Sequence, residues 1–291
     1  MSPAILRAGC NVGPATGRGP PYAPLVHHAI FVAPFAELSE PRAVVDVALA
    51  AEGHGWDGIF LWDHVLRPIE ETTHIGDAWI SLAAIATVTT RIRLGTMVTP
   101  ITRRRPAKLA RETIAVDRLS SGRLVVGLGL GVDSGGELSR FGEIVDPVVR
   151  GERLGEGAEL LLRLWSGAEV EHRGGHFTAD GVRFLPGPFS PAGIPLWFAA
   201  RGDARRPVRR AAKLGTGMHA IDMDAGQVAV ALDLVRAERG SLDGFDVALN
   251  VEPGGDATEV GRRGATWAMH AFGAGATVAE IMAVVERGRP G

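Results

Sequence analysis

The chain has 291 residues, a length within the range of a single α/β barrel, with 46 % hydrophobic and 22 % charged residues. A formal net charge of −2 gives no electrostatic reason to expect nucleic acid or an anionic membrane surface as partner. One cysteine, Cys10, excludes an intrachain disulfide and a cysteine-based metal cluster and suits a reducing cytoplasm. No apolar run approaches the roughly 18 residues of a membrane-spanning helix. Residues 1–25, rich in Gly and Pro and without a signal-peptide pattern, read as a flexible arm before one domain over 26–291.

In chain order, Val26–Ala33 forms a first strand, and Ser39 with Pro41 opens a helix whose buried stripe is Val44, Val45, Ala48 and Leu49. Gly58–Trp62 is the second strand, and Asp77 opens an almost wholly apolar helix with Ile80, Ala84 and Val88 in register. Ile92–Val98, a helix from Pro106 carrying Leu109, Thr113 and Val116, and Leu124–Leu128 make a βαβ unit of two strands buried on both faces. The rhythm then breaks. Residues 132–192 are read as an insertion, with a helix over Glu152–Trp165 and a hairpin within Gly167–Phe189. Regular alternation returns with strands at Ile194–Ala199, Thr216–Ile221, Asp246–Val251 and Ala265–Ala271, each followed by a helical pattern. Eight strands alternating with helices predict a (β/α)8 TIM barrel, with the insertion after strand 4. Gly127, Gly129 and Gly131 do not make a dinucleotide fingerprint, because Val132 stands where its last glycine would fall.

A barrel carries its site at the C-terminal strand ends. Those ends include Phe35, Trp62-Asp63-His64, Thr96-Met97-Val98, Leu128-Gly129, Arg201-Gly202 and His219. They are mainly apolar and aromatic, which suits a flat organic ring better than a metal. His64 is the sharpest candidate for proton transfer, with Asp63 beside it to orient the imidazole. Arg201-Gly202, ahead of a helix, can hold a phosphate through N–H groups and the guanidinium. His172 and His176 are four apart, but Gly174 and Gly175 between them argue against a helical metal site, and no metal is expected. Arg103-Arg104-Arg105 reads as a solvated or salt-bridged loop rather than an anion site.

The segments GWDGIFLWDH, DAWISLAAIATVTTRIRLGTMVTP, RRRPAKLARETIAVDRLSSGRLVVGLGLG and RGERLGEGAELLLRLWSG resemble the bacterial-luciferase-like oxidoreductases, which use flavin or the deazaflavin F420. The resemblance implies a TIM barrel holding the cofactor at its C-terminal rim. By position, His64 is similar to the histidine near the ring's reactive edge. Met97-Val98 resembles a strand-three bulge, often a non-proline cis peptide, behind the ring. Gly127, Leu128 and Gly129 fall where the ring's other edge passes, and Ala200, Arg201 and Gly202 where the cofactor phosphate is held. Two departures stand out. Ala199-Ala200 replaces the usual Gly-Gly, and Val132 takes the approximate place of the acid of F420-dependent sugar-phosphate dehydrogenases. The leading expectation is a monooxygenase using oxygen and FMN reduced by a partner flavin reductase on a small organic substrate. The alternatives are F420-dependent hydride transfer and a flavin-binding barrel without turnover. A homodimer through barrel helices is expected.

Overall fold

The computed structural model describes residues 26–68 and 74–290; the N-terminal arm therefore lies outside the described residues. Eight parallel strands close in the order β1-β2-β3-β4-β7-β8-β9-β10 and back to β1. They are β1 (His27–Val32), β2 (Gly58–Leu61), β3 (Arg93–Pro100), β4 (Leu124–Gly129), β7 (Leu196–Arg201), β8 (Gly217–Ile221), β9 (Asp246–Val251) and β10 (Trp267–Ala271). Helices α1 (Pro41–Gly53), α2 (Ala78–Val88), α3 (Pro106–Leu119), α4 (Pro147–Trp165), α5 (Arg205–Leu214), α6 (Ala225–Arg239), α7 (Thr258–Arg262) and α8 (Val278–Val285) lie between and after them. Between α4 and β7 an antiparallel hairpin, β5 (Glu169–Arg173) and β6 (Thr178–Arg183), stands apart from the barrel. The fold is a (β/α)8 barrel.

Because side chains alternate along a strand, each barrel strand feeds two cores. One face joins the helices: Ile30, Leu94, Val126, Phe198, Met218 and Leu249 lie there. The other face fills the barrel with Phe31, Phe60, Met97, Val125, Trp197, Trp267 and Met269. Phe60 stacks on Trp197 at 5.6 Å, and Trp267 meets both rings edge-on at 5.8 and 5.7 Å.

Several local expectations needed correction. The buried stripe of α1 is Val44, Val47, Ala48 and Ala51, and Leu49 is exposed. That set follows the i, i+3, i+4, i+7 rule, which the expected stripe did not. Ser39 does not cap α1; its hydroxyl donates to the Ala36 carbonyl in the preceding turn, and Glu40 holds the cap position. Helix α2 buries Trp79, Leu82, Ile85 and Ala86 and leaves Ile80 and Val88 exposed. An all-apolar helix carries no moment to reveal its inner face. Helix α4 begins five residues before Glu152, because Pro147 pre-sets the first turn and Asp146 accepts from the Val148 and Val149 N–H groups.

Candidate active site at the barrel mouth

The geometry of β3 sets the mouth. Thr96 pairs with Val126 and Thr99 with Leu128, so three steps on β3 match two on β4. The extra residue makes a bulge, at which Met97–Val98 is a cis peptide and both side chains face the barrel interior. A Cβ at Gly127 would strike the Thr96 carbonyl oxygen and the Met97 sulfur, and one at Gly129 would strike Val98. Gly127 therefore makes room for the bulge itself. Gly129, by contrast, keeps the wall beside Val98 and Ala199 flat.

His64 follows β2 at the rim, its ring 5.9 Å from Phe35 and 5.9 Å from Trp62. Asp63 does not orient it, as the sequence had led us to expect. The 5 %-exposed Asp63 is instead held by Arg103 Nη2 at 3.1 Å, Arg104 Nη2 at 2.9 Å and the Thr99 hydroxyl at 2.8 Å. Two guanidiniums from the loop after β3 outcompete a neighbouring imidazole for this carboxylate. Asp63 thus ties that loop to the end of β2, a tie repeated where Arg103 donates to the Asp63 carbonyl at 2.7 Å.

The partner of His64 is Glu137, which sequence reasoning missed. Its Oε1 accepts from His64 Nδ1 at 2.5 Å, while Oε2 lies 3.5 Å from Arg103. Its side chain is 3 % exposed. With Nδ1–H committed to Glu137, Nε2 has no hydrogen-bond partner among the described residues. The only signal in the sequence was an acid in the polar stretch after strand 4, 73 positions from His64.

Across the mouth, His219 is fully buried. Its Nε2–H donates to Asn250 Oδ1 at 2.8 Å, its ring meets Phe31 edge-on, and Nδ1 has no partner. Burial pushes this imidazole down to about 4, so it is neutral near pH 7. The indole Nε1 of Trp62 is likewise buried without a partner.

The remaining expected residues separate by strand face. Thr96, Leu128 and Ala200 are buried away from the mouth, Leu128 and Ala200 in the core shared with the helices. Any ligand would meet them only through backbone; Ala199, one residue earlier, takes the inward position. Arg201 pairs with Asp222 at 3.3 Å on the exposed rim, and Gly202 adopts φ +55° with open space around it. Behind them α5 starts without a side-chain cap, so its first N–H groups stay available. His172 and His176 bind Glu156 and Glu152 respectively, and no cluster able to hold a metal exists among the described residues.

Flat walls of Val98, Gly129 and Ala199, an imidazole with one free nitrogen and an uncapped helix start define a barrel suited to a planar heterocycle with an anionic tail. The description "luciferase-like monooxygenase" matches residues 25–276, and the chain belongs to that family. A relative from Gordonia bronchialis called F420-dependent glucose-6-phosphate dehydrogenase is 32 % identical over 184 residues, 62 % of this chain and 53 % of its own length. One of the same name from Mycobacterium avium is 34 % identical over 177 residues, 58 % of this chain and 50 % of its own. The chain thus spans about half the length of these curated relatives. An F420-dependent secondary alcohol dehydrogenase solved with an F420-acetone adduct superimposes with TM-score 0.69 at 21 % identity, covering 78 % of this chain and 69 % of that one. A monooxygenase from Streptomyces bottropensis gives 0.64 at 24 %, covering 81 % and 75 %. At such identities the superpositions show the fold alone. No helix among the described residues is long and apolar enough to cross a membrane.

Proposed function

We propose that the protein is an F420-dependent oxidoreductase moving a hydride to or from a small substrate with a hydroxyl or carbonyl group. His64 carries the accompanying proton. The observation that carries this reading is the Glu137–His64 pair, which leaves Nε2 free at the mouth. F420 is better supported than the FMN first expected, because the relatives above 30 % identity are named as F420 enzymes. The solved monooxygenase superimposes at 24 % identity, where only the fold is compared, and the family description names no cofactor.

The residues present fit such a group. Val98, Gly129 and Ala199 would lie against the ring, and the unpartnered Trp62 Nε1 and His219 Nδ1 offer one donor and one acceptor beside it. The uncapped start of α5 with Arg201 and Gly202 would take the phosphate. The deazaflavin supplies the hydride acceptor or donor. The chain does the rest. In the oxidising direction Nε2 takes the hydroxyl proton, and Glu137 compensates the imidazolium from a position closed to water. Apolar Phe35 and Trp62 shield that charge pair from solvent. Asp63, Arg103 and Thr99 keep the strand end in place.

Glucose 6-phosphate is not assumed as substrate, since the exposed Val132 supplies no carboxylate after β4. A homodimer remains part of the proposal, supported by exposed Leu49, Ile80 and Val88 on α1 and α2, and a cytoplasmic setting suits the single cysteine. A flavin reductase has no role in this reading. Titration of oxidised F420 and of FMN into the protein, then alcohol-driven loss of F420 absorbance, provides the test. Tighter F420 binding and His64-dependent turnover are expected. Tighter FMN binding with NAD(P)H-driven oxygen consumption would restore the monooxygenase, and binding without turnover would leave a storage barrel.

A further inference from the structure

Away from the mouth's apolar walls, a cavity of about 280 Å³ opens between the loop after β3, the first turns of α4, the tip of the β5–β6 hairpin and the loop after β4. Its lining is Arg103, Arg104, Arg105, Arg153, His176, Phe177 and one acid, Glu143. Four guanidiniums around one small space repel one another unless anions answer them.

Two of the four are already answered. Arg103 and Arg104 share Asp63, with Glu137 and Glu112 as further partners at 3.5 and 3.7 Å. His176 faces Glu152 at 3.4 Å. Arg105 and Arg153 have no carboxylate partner among the described residues; Arg153 lies over the Phe177 ring at 5.3 Å. Against these two cations stands Glu143 alone.

A second observation is independent of that charge count. Arg104 Nε and Arg153 Nε are buried without a hydrogen bond, whereas Arg103 Nη1 lies 3.5 Å from Glu137 Oε2. Buried N–H groups are nearly always paired, so these two Nε groups leave donor capacity unanswered in residues that line the cavity. Helix α3, 14 residues long, also starts here. Arg105 occupies its cap position without a side-chain bond and Pro106 is its first residue, so its first-turn N–H groups add positive potential.

We infer that this cavity is an anion site for a phosphate group, separate from the mouth and independent of the F420 reading. Phosphate suits it better than a carboxylate, because donors converge from three elements and a tetrahedral dianion offers acceptors in each direction. The volume admits a phosphate with a short organic appendage, and Phe177 gives that appendage an apolar wall.

Calorimetric titration of the whole protein with inorganic phosphate, and separately with phenyl phosphate, tests the assignment. The exposed and unpartnered Arg105 makes Arg105→Gln a variant safe for folding. It should weaken binding about tenfold, the scale of one charge-assisted hydrogen bond. Arg153→Gln should act in the same direction. Glu143→Gln, which removes the one acid, should tighten binding by about threefold to tenfold. Arg201→Gln at the mouth should leave this affinity unchanged, which separates the cavity from the α5 site. Tighter phenyl phosphate would assign a phosphomonoester as the occupant, and equal or tighter inorganic phosphate would assign the free ion. Affinity unmoved by Arg105→Gln and Arg153→Gln, or lost in Arg201→Gln, would overturn the inference.

Discussion

The two ends of the barrel are built from the same strands to opposite purpose. At the N-terminal end the inward positions carry Phe60, Trp197 and Trp267, three interlocked rings with His27, Asp57, Arg93 and Asp246 around them. At the C-terminal end, one or two inward positions further along, the same strands present Trp62, Val98, Gly129, Ala199 and Ala271. Apart from Trp62, bulk has been withdrawn from one end, and the polar groups placed there, His64 and His219, keep a nitrogen unpartnered. An end filled with rings holds the barrel closed; an end floored with small residues has surface to offer a ligand.

The largest effect should come from the packed end. Trp197→Ala removes a fully buried indole and should cost about 3–5 kcal/mol of stability, seen as a lower midpoint in denaturant unfolding, with cofactor affinity little changed in the fraction still folded. Its mirror at the open end is His64→Ala. That variant should lose about a hundredfold to ten-thousandfold in turnover while its unfolding midpoint stays close to the parent's. If it proved as unstable as Trp197→Ala, the mouth histidine would be a packing residue. Glu137→Gln should lower turnover less than His64→Ala, because the amide still holds the ring but cannot compensate its charge.

Acid sensitivity should distinguish the mouth from the barrel wall. His219, at the mouth, and His270, on β10 in contact with His28 at 3.0 Å, are both pushed down to about 4, chiefly by burial. Gly254 N–H donates to His270 Nδ1, so His270 Nε2–H donates on to His28 Nδ1 and both rings are neutral. The folded chain refuses protons that the unfolded chain accepts below about 6.5. Stability is therefore complete above that pH and falls as pH drops toward about 4, by about 3 kcal/mol for the fully buried His219. Thermal midpoints followed through this window should fall, and less steeply in His219→Gln. A flat profile would contradict the buried neutral rings.

The smallest effect belongs to the floor. Gly129→Ala brings a methyl against Val98 and should weaken cofactor binding about tenfold, with about 1–3 kcal/mol lost in unfolding. Equal affinity in parent and variant would remove Gly129 from the ring site.

Sequence order already carried the strand count, the alternation and the position of His64 at a strand end, because short apolar runs, helical spacing and turn residues are local signals. It also carried the bulge at Met97-Val98 through resemblance. It did not carry the inner face of α2, whose apolar residues run all round, nor the split between Ala199 inward and Ala200 outward, which one residue of register decides. Above all, Asp63 is next to His64 in the chain and Glu137 is 73 residues away, yet the distant acid holds the imidazole. Past the end of β2, two arginines from the adjoining loop claim the nearer carboxylate. Which groups share a buried space is settled by the closing of the barrel, since a charge out of water binds the partner that packing brings to it.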